Sequence, residues 1–167
     1  MPDAVLDRLK ANGGIVMVTA VLNFVSEDYR IWAADRAGEE ARLKSLHTGF
    51  PDRIAPALAA WTKAHPAPGV SVTQIADHVE YIVKRIGVDH VGVGGDFDGM
   101  DEGPKGFEDV SAYPNLFAEL GRRGYSQADL EKISSRNMLR VLRAAEGYAA
   151  AHRGDAPIES KAVTVGG

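Results

Sequence analysis

Ser71-Val72-Thr73-Gln74-Ile75-Ala76-Asp77-His78-Val79-Glu80-Tyr81-Ile82-Val83-Lys84-Arg85-Ile86-Gly87-Val88-Asp89-His90-Val91-Gly92-Val93-Gly94-Gly95-Asp96-Phe97-Asp98-Gly99 is the stretch that decides the fold class. Ser71 and Gln74 stand at capping-box spacing, where each side chain satisfies a backbone N–H that the first helical turn leaves without a partner. Ile75, Val79, Ile82 and Ile86 then recur on one helical stripe, and Gly87 supplies the stop. Val88 to Gly95 is a short β-rich run that empties into a polar glycine loop. Helix, glycine, strand and loop in that order make one crossover unit of an α/β fold with a parallel sheet.

Upstream, Gly14-Ile15-Val16-Met17-Val18-Thr19 is continuously apolar rather than alternating, as in a strand covered on both faces. A helix over Pro2–Lys10, stopped by Gly13-Gly14, precedes it. Between this strand and Ser71 lies a helical insertion, about residues 28–69. Asp28 to Leu46 is charged and helix-prone, and a second helix from Asp52 puts Ile54, Leu58 and Trp61 on one stripe before His65-Pro66-Ala67-Pro68-Gly69. Its plain reading is a solvated excursion; a lid or a partner surface is the alternative. Downstream, Tyr113, Leu116, Phe117 and Leu120 form a stripe ending at Gly124. Ser126 caps a helix carrying Leu130 and Ile133, and Met138, Leu139, Val141 and Leu142 continue in another. Periodicity fades after residue 152, which leaves 153–167 as an expected loose tail.

Composition removes whole classes of function. The 167 residues carry 19 Lys+Arg against 23 Asp+Glu, a net charge of −4, with 45% hydrophobic and 25% charged residues. That is an ordinary globular balance for one domain. A pI near 5.7 without a basic cluster excludes nucleic acid as the main partner. The apolar run from Ile15 to Val25 is broken by Thr19 and Asn23, short of the roughly 18 residues of a transmembrane segment. No signal peptide opens the chain, which points to the cytoplasm if Met1 is the true start. With no cysteine, metal chemistry has to run on His, Asp and Glu.

The chemistry-bearing segment is Gly94-Gly95-Asp96-Phe97-Asp98-Gly99. Asp96 stands where the strand ends at its carboxyl edge, the place where parallel α/β folds gather reactive groups. A carboxylate there accepts protons, orients a water or ligates a divalent ion. Other readings compete. The run lacks a glycine at Phe97, which a dinucleotide fingerprint needs, and as a calcium loop it has Phe107 where a bidentate Glu belongs. An Asx turn, with both Asp side chains satisfying backbone N–H groups, stays open. The histidines at 47, 65, 78, 90 and 152 show no ligand spacing. His90 reads as a hydrogen-bonded structural residue and His78 as part of a solvated face.

On these residues the chain resembles the membrane (renal-type) dipeptidases, peptidase family M19. The likeness is carried by Gly14–Val18, by Ala76–Ile82 and above all by Gly87–Gly99. Gly106-Phe107-Glu108-Asp109-Val110, Tyr113-Pro114 and Asn137-Met138-Leu139-Arg140-Val141 follow in order and spacing. The resemblance implies a (β/α)8 TIM barrel holding two Zn2+ at the carboxyl ends of its strands and hydrolysing dipeptides with a metal-bridging water. By the same likeness Asp96 matches the last-strand aspartate that orients this water and handles its proton. Gly95, Asp98 and Gly99 border the substrate. Phe24 takes the place of a pocket aromatic where relatives carry tyrosine, without its hydroxyl.

The family's His-x-Asp, bridging Glu and two further His ligands have no counterpart here, so the resemblance implies no metal ligand in this chain. A full barrel takes about 250 residues. The expectation is therefore that residues 1–152 are the C-terminal part of a dipeptidase barrel, with Met1 internal to a longer parent. The partners implied are a dipeptide substrate, the missing N-terminal half and a possible homodimer. Alone, the chain is expected to be inactive. The alternatives are a non-catalytic remnant or interaction module, and a related metal-dependent amidohydrolase.

Overall fold

Two short parallel strands form the whole sheet among the described residues of the computed structural model, which are 1–156. Strand β1 (Val16–Thr19) pairs with β2 (Val91–Gly94) in the register Val16↔Val91, Met17↔Gly92, Val18↔Val93 and Thr19↔Gly94. The expected strand start at Val88 shifts: Val88–His90 is a 3-10 turn, and the ladder begins only at Val91. The tail expected over 153–167 lies outside the described residues from 157 onward.

Helix α1 (Asp3–Asn12) leads into β1, and Gly13 ends it in the left-handed conformation, with φ 73°. The crossover to β2 runs through α2 (Leu22–Val25), α3 (Glu27–Leu46), α4 (Ile54–Ala64) and α5 (Val72–Ile86). The Ser71–Gln74 capping box forms, the Gln74 side chain accepting the Ser71 N–H at 3.0 Å. Ile75, Val79, Ile82 and Ile86 are buried as the stripe requires, and they join Val18, Val91 and Val93 in the core. After β2 come α6 (Tyr113–Arg122), α7 (Gln127–Glu131), a π-helical turn over Lys132–Arg136, and α8 (Asn137–Ala151).

The sheet is covered on one face. Val16, Val18, Val91 and Val93 point into the core, while Met17 on the other face is 40% exposed. Gly92 makes room for it: a Cβ there would meet the Met17 sulfur at 2.6 Å. Helices α3 and α4 pair with each other. Leu43 is the only buried residue of α3, Leu58 that of α4, and Trp32 Nε1 donates across the pair to the His65 carbonyl at 2.7 Å. Polar ties knit α5 to α6: Arg123 donates to Asp77 (2.7 Å), Glu80 (3.0 Å) and Glu119 (2.8 Å), and to the Thr73 carbonyl (3.1 Å). No described helix is long and apolar enough to cross a membrane.

Candidate active site

β2 ends at Gly94, and the chain leaves it through Gly95 into Asp96 at the carboxyl edge of the sheet. Asp96 has φ 61° and ψ 30°, and among the described residues it is the one non-glycine with positive φ. A residue with a Cβ adopts that conformation only where its surroundings hold it, which is why such residues gather at functional sites. Here the next turn closes on the backbone, the Gly99 N–H donating to the Asp96 carbonyl at 2.9 Å. The two glycines that flank the aspartates make space. A Cβ on Gly99 would stand 2.5 Å from Asp96 Oδ1, and one on Gly95 would run into the Phe97 ring.

The Asx-turn reading fails on this geometry. Among the described residues neither the Asp96 nor the Asp98 carboxylate has a hydrogen-bond partner, and both are exposed. The turn that these side chains were to build is made by the main chain, which leaves the carboxylates free for other work. Aromatic rings brace the loop from below. Phe97 and Phe107 lie 5.2 Å apart, and Tyr113 meets both edge-on, at 5.8 and 5.1 Å. Phe107 is fully buried, so these rings tie the loop to the core.

A cleft of about 570 Å³ opens beside this loop, lined by Gly95, Asp96, Phe97, Asp98, Asp109 and Tyr113 among others. Asp109 is turned inward on itself: it accepts from Ser111 Oγ (2.6 Å) and Ser111 N–H (2.7 Å), which hold its carboxyl below the usual range. A smaller cavity of about 210 Å³ joins the two strand-end loops, with Val21, Leu22 and Asn23 facing Gly99 to Glu102. Tyr29 lines it, and burial, aided by the charge of Glu102, pushes its phenol up.

The structure thus brings Gly95, Asp96, Asp98 and Gly99 together at one strand end. Phe24 is 66% exposed at the end of α2 and stands outside the lining of both cavities. His90 is hydrogen-bonded as expected, though from the 3-10 turn before β2 and not from within the strand: Nδ1 lies 2.8 Å from the Gly14 carbonyl. His78 is exposed, and its Nε2 lies 3.3 Å from the Val25 carbonyl. No three His, Asp or Glu side chains converge as a metal-holding group among the described residues. These residues alone do not fit a metal centre. Sequence reasoning missed Tyr113, which it placed on an apolar stripe; its hydroxyl accepts the Gly95 N–H at 2.9 Å. Stripe periodicity holds no signal for that bond, because it reports a ring's face and not its polar tip.

The family described as "Membrane dipeptidase (Peptidase family M19)" matches residues 1–155. Dipeptidase tcpJ of Claviceps purpurea is 36% identical over 163 residues, 98% of this chain and 29% of that protein. Dipeptidase 3 of Homo sapiens is 31% identical over 161 residues, covering 96% of this chain and 25% of its own length. The chain therefore spans less than a third of these curated relatives. Among solved structures, the probable dipeptidase PvdM from Pseudomonas aeruginosa superposes with a TM-score of 0.61 at 26% identity, over 84% of this chain and 39% of that one. A metallo peptidase from Rhodobacter sphaeroides, liganded with a phosphinate mimic of the dipeptide L-Ala-D-Ala, shares the fold with a TM-score of 0.59 at 22% identity, over 86% and 30%.

Proposed function

The chain belongs to the membrane dipeptidase family, peptidase family M19, and from that premise we propose that it is the C-terminal part of a dipeptide-hydrolysing (β/α)8 barrel and supplies the acting carboxylate, Asp96. The observation that carries the reading is the backbone of Asp96. An exposed carboxylate, unpartnered and held in left-handed conformation at the carboxyl end of a parallel strand, is a group kept ready for chemistry.

The reading assigns the rest of the site by position. Asp96 takes the proton from the water that attacks the peptide carbonyl and returns it to the departing amine, the ordinary two-step use of one carboxylate. Gly99 keeps a side chain out of its way, Gly95 makes room for the Phe97 ring, and both border the substrate with Asp98. Phe24 would border the substrate pocket from the loop after β1, its exposed ring standing outside the lining of the two cavities. Zinc, when bound by residues outside this chain, supplies Lewis-acid activation of water. The exposed face of the sheet around Met17 and the half-exposed Met138, Leu139 and Leu142 of α8 would receive the remaining strands and helices.

The test is metal content and dipeptide turnover of the 167-residue chain with excess zinc, beside the same chain extended by its upstream reading frame. The expected result is no stoichiometric zinc and no turnover for the first, with turnover lost on Asp96→Asn in the second. An upstream frame without His-x-Asp and the later His ligands would sink the proposal. Stoichiometric zinc with turnover in the 167-residue chain would overturn its division of labour.

A further inference from the structure

The chain just before Asp96 is held by another element. Gly95 is buried, and its N–H donates to the hydroxyl of Tyr113, 18 residues on, at 2.9 Å. Tyr113 opens α6, whose first turn is stiffened by Pro114. The Tyr113 ring has little freedom: Phe97 and Phe107 meet it edge-on at interplanar angles of 88° and 83°, and Phe117 stacks on it at 6.4 Å. The hydroxyl is thus presented from a fixed ring to a fixed point of the main chain. On the far side of Asp96 the chain is held by the Gly99 N–H and by the Phe97 ring, which fills the space that a Cβ on Gly95 would need. Asp96 thus lies between two anchored points, the Gly94–Gly95 peptide on one side and its own carbonyl on the other.

We propose that the Tyr113 hydroxyl is a positioning group for the strand-end carboxylate: by accepting the Gly95 N–H it fixes the Gly94–Gly95 peptide plane, through which the chain leaves β2 one residue before Asp96, and so helps aim Asp96 into the cleft. Tyr113 acts through Gly95 and not on substrate, so it is a positioning residue. Its consequence for catalysis rests on the role given to Asp96 above. The structural part stands without it.

The experiment is amide exchange on the 15N,13C-labelled 167-residue chain, comparing the native protein with Tyr113→Phe. That change keeps the ring and removes only the acceptor. Tyr125→Phe, on a partly buried tyrosine away from the loop, serves as control. Protection of the Gly95 amide is expected to fall about tenfold in Tyr113→Phe, with a shift in the Asp96 Cα and Cβ resonances. The amides of α6 and the Tyr125→Phe spectrum stay unchanged. Undiminished protection at Gly95 would overturn the proposal. So would a loss spread through α6 and β2, which would make the hydroxyl a prop for the fold rather than for one peptide. In the upstream-extended enzyme, kcat of Tyr113→Phe should fall about tenfold at nearly constant KM, the mark of an aim lost in the transition state only. Absence of turnover in the unmutated enzyme would count against Asp96 as the acting carboxylate, while the exchange result decides Tyr113 separately.

Discussion

The two ends of β2 are built in opposite ways. At the end where the chain enters, side chains close one backbone carbonyl after another. Asn137, 3% exposed, donates through Nδ2 to the Val88 and Val91 carbonyls at 2.7 and 2.8 Å. Arg140 donates to the Gly13 and Asp89 carbonyls at 2.7 and 2.8 Å, and Lys132 pairs with Asp89 at 2.8 Å. Thus α8, the loop before β1 and the start of β2 are tied at one point. At the end where the chain leaves, the backbone is closed by its own turn and one tyrosine hydroxyl, and two carboxylates face solvent without partners among the described residues. Polar side chains serve the fold at one end and are left free of it at the other. That division is how a parallel α/β strand keeps stability and chemistry from competing for the same groups.

The sharpest way to break this comparison is to exchange charge for amide at the exit end. Asp96→Asn in the upstream-extended enzyme should cut dipeptide turnover by about 10²–10⁴-fold, the usual weight of an acid–base group. The urea midpoint of the 167-residue chain should hardly move, because that carboxylate satisfies nothing in the fold. Asn137→Ala is the counterpart at the entry end. It strips one buried and one partly buried carbonyl of their donor and should cost about 2–3 kcal/mol of unfolding free energy, read from urea denaturation. If instead Asp96→Asn destabilised the chain and Asn137→Ala did not, the two ends would not differ as described.

Much of this contrast is legible along the sequence, and unevenly so. The α5–β2 unit is plain because capping box, stripe, glycine and β run all agree locally, and Asp96 follows from its place after the run. Sequence also shows the glycines beside the aspartates, though not what each makes room for: Gly99 clears the Asp96 carboxylate and Gly95 the Phe97 ring. The start of β2 is displaced to Val91 because Val88–His90 is held by contacts from far along the chain, Asn137 and Arg140 among them. β propensity has no knowledge of such partners. The Asx turn at Asp96 is the natural local reading, yet the turn is closed by an equally local main-chain bond from the Gly99 N–H to the Asp96 carbonyl, and residue types do not tell the two apart. Tyr113 was hidden for another reason: its bond to Gly95 is made across 18 residues by the packing of α6 against the strand end. Local signals reveal elements; what holds a strand end is long-range.

A smaller change sharpens the view that the exit end is shaped by exclusion. Gly99→Ala places a methyl 2.5 Å from Asp96 Oδ1, so the carboxylate must swing aside. Position 99 is exposed and its backbone is not left-handed, so stability should stay within about 0.5 kcal/mol. Turnover of the extended enzyme should drop about tenfold, since a reacting group moved by less than its own width loses much of its effect. Unchanged turnover with an intact fold would mean that Asp96 tolerates more than one orientation.

The smallest effect expected is on pH, and it asks whether the exit end depends on a distant clamp. Glu119 lies nearly buried on α6, and its carboxyl is held below the ordinary range by hydrogen bonds from Arg123 first and Arg122 second. A carboxyl depressed in the folded state stabilises the fold at pH above its unfolded pKa of about 4.3, and that contribution is lost as pH falls through the folded value. Native protein should therefore weaken as pH drops from about 6 toward 3, while Glu119→Gln starts weaker and follows a flatter limb until the two curves approach each other. Chemical denaturation at stepped pH reads both limbs. Helix α6 begins at Tyr113 and ends beside Arg123, so the same titration can be followed at the Gly95 amide. Gly95 exchange that rises with the acid limb in native protein, and not in Glu119→Gln, would show that the exit end draws its order from the α5–α6 clamp. Gly95 protection indifferent to both would place that order in the local aromatic brace of Phe97, Phe107 and Tyr113, and would make the strand end a self-contained device.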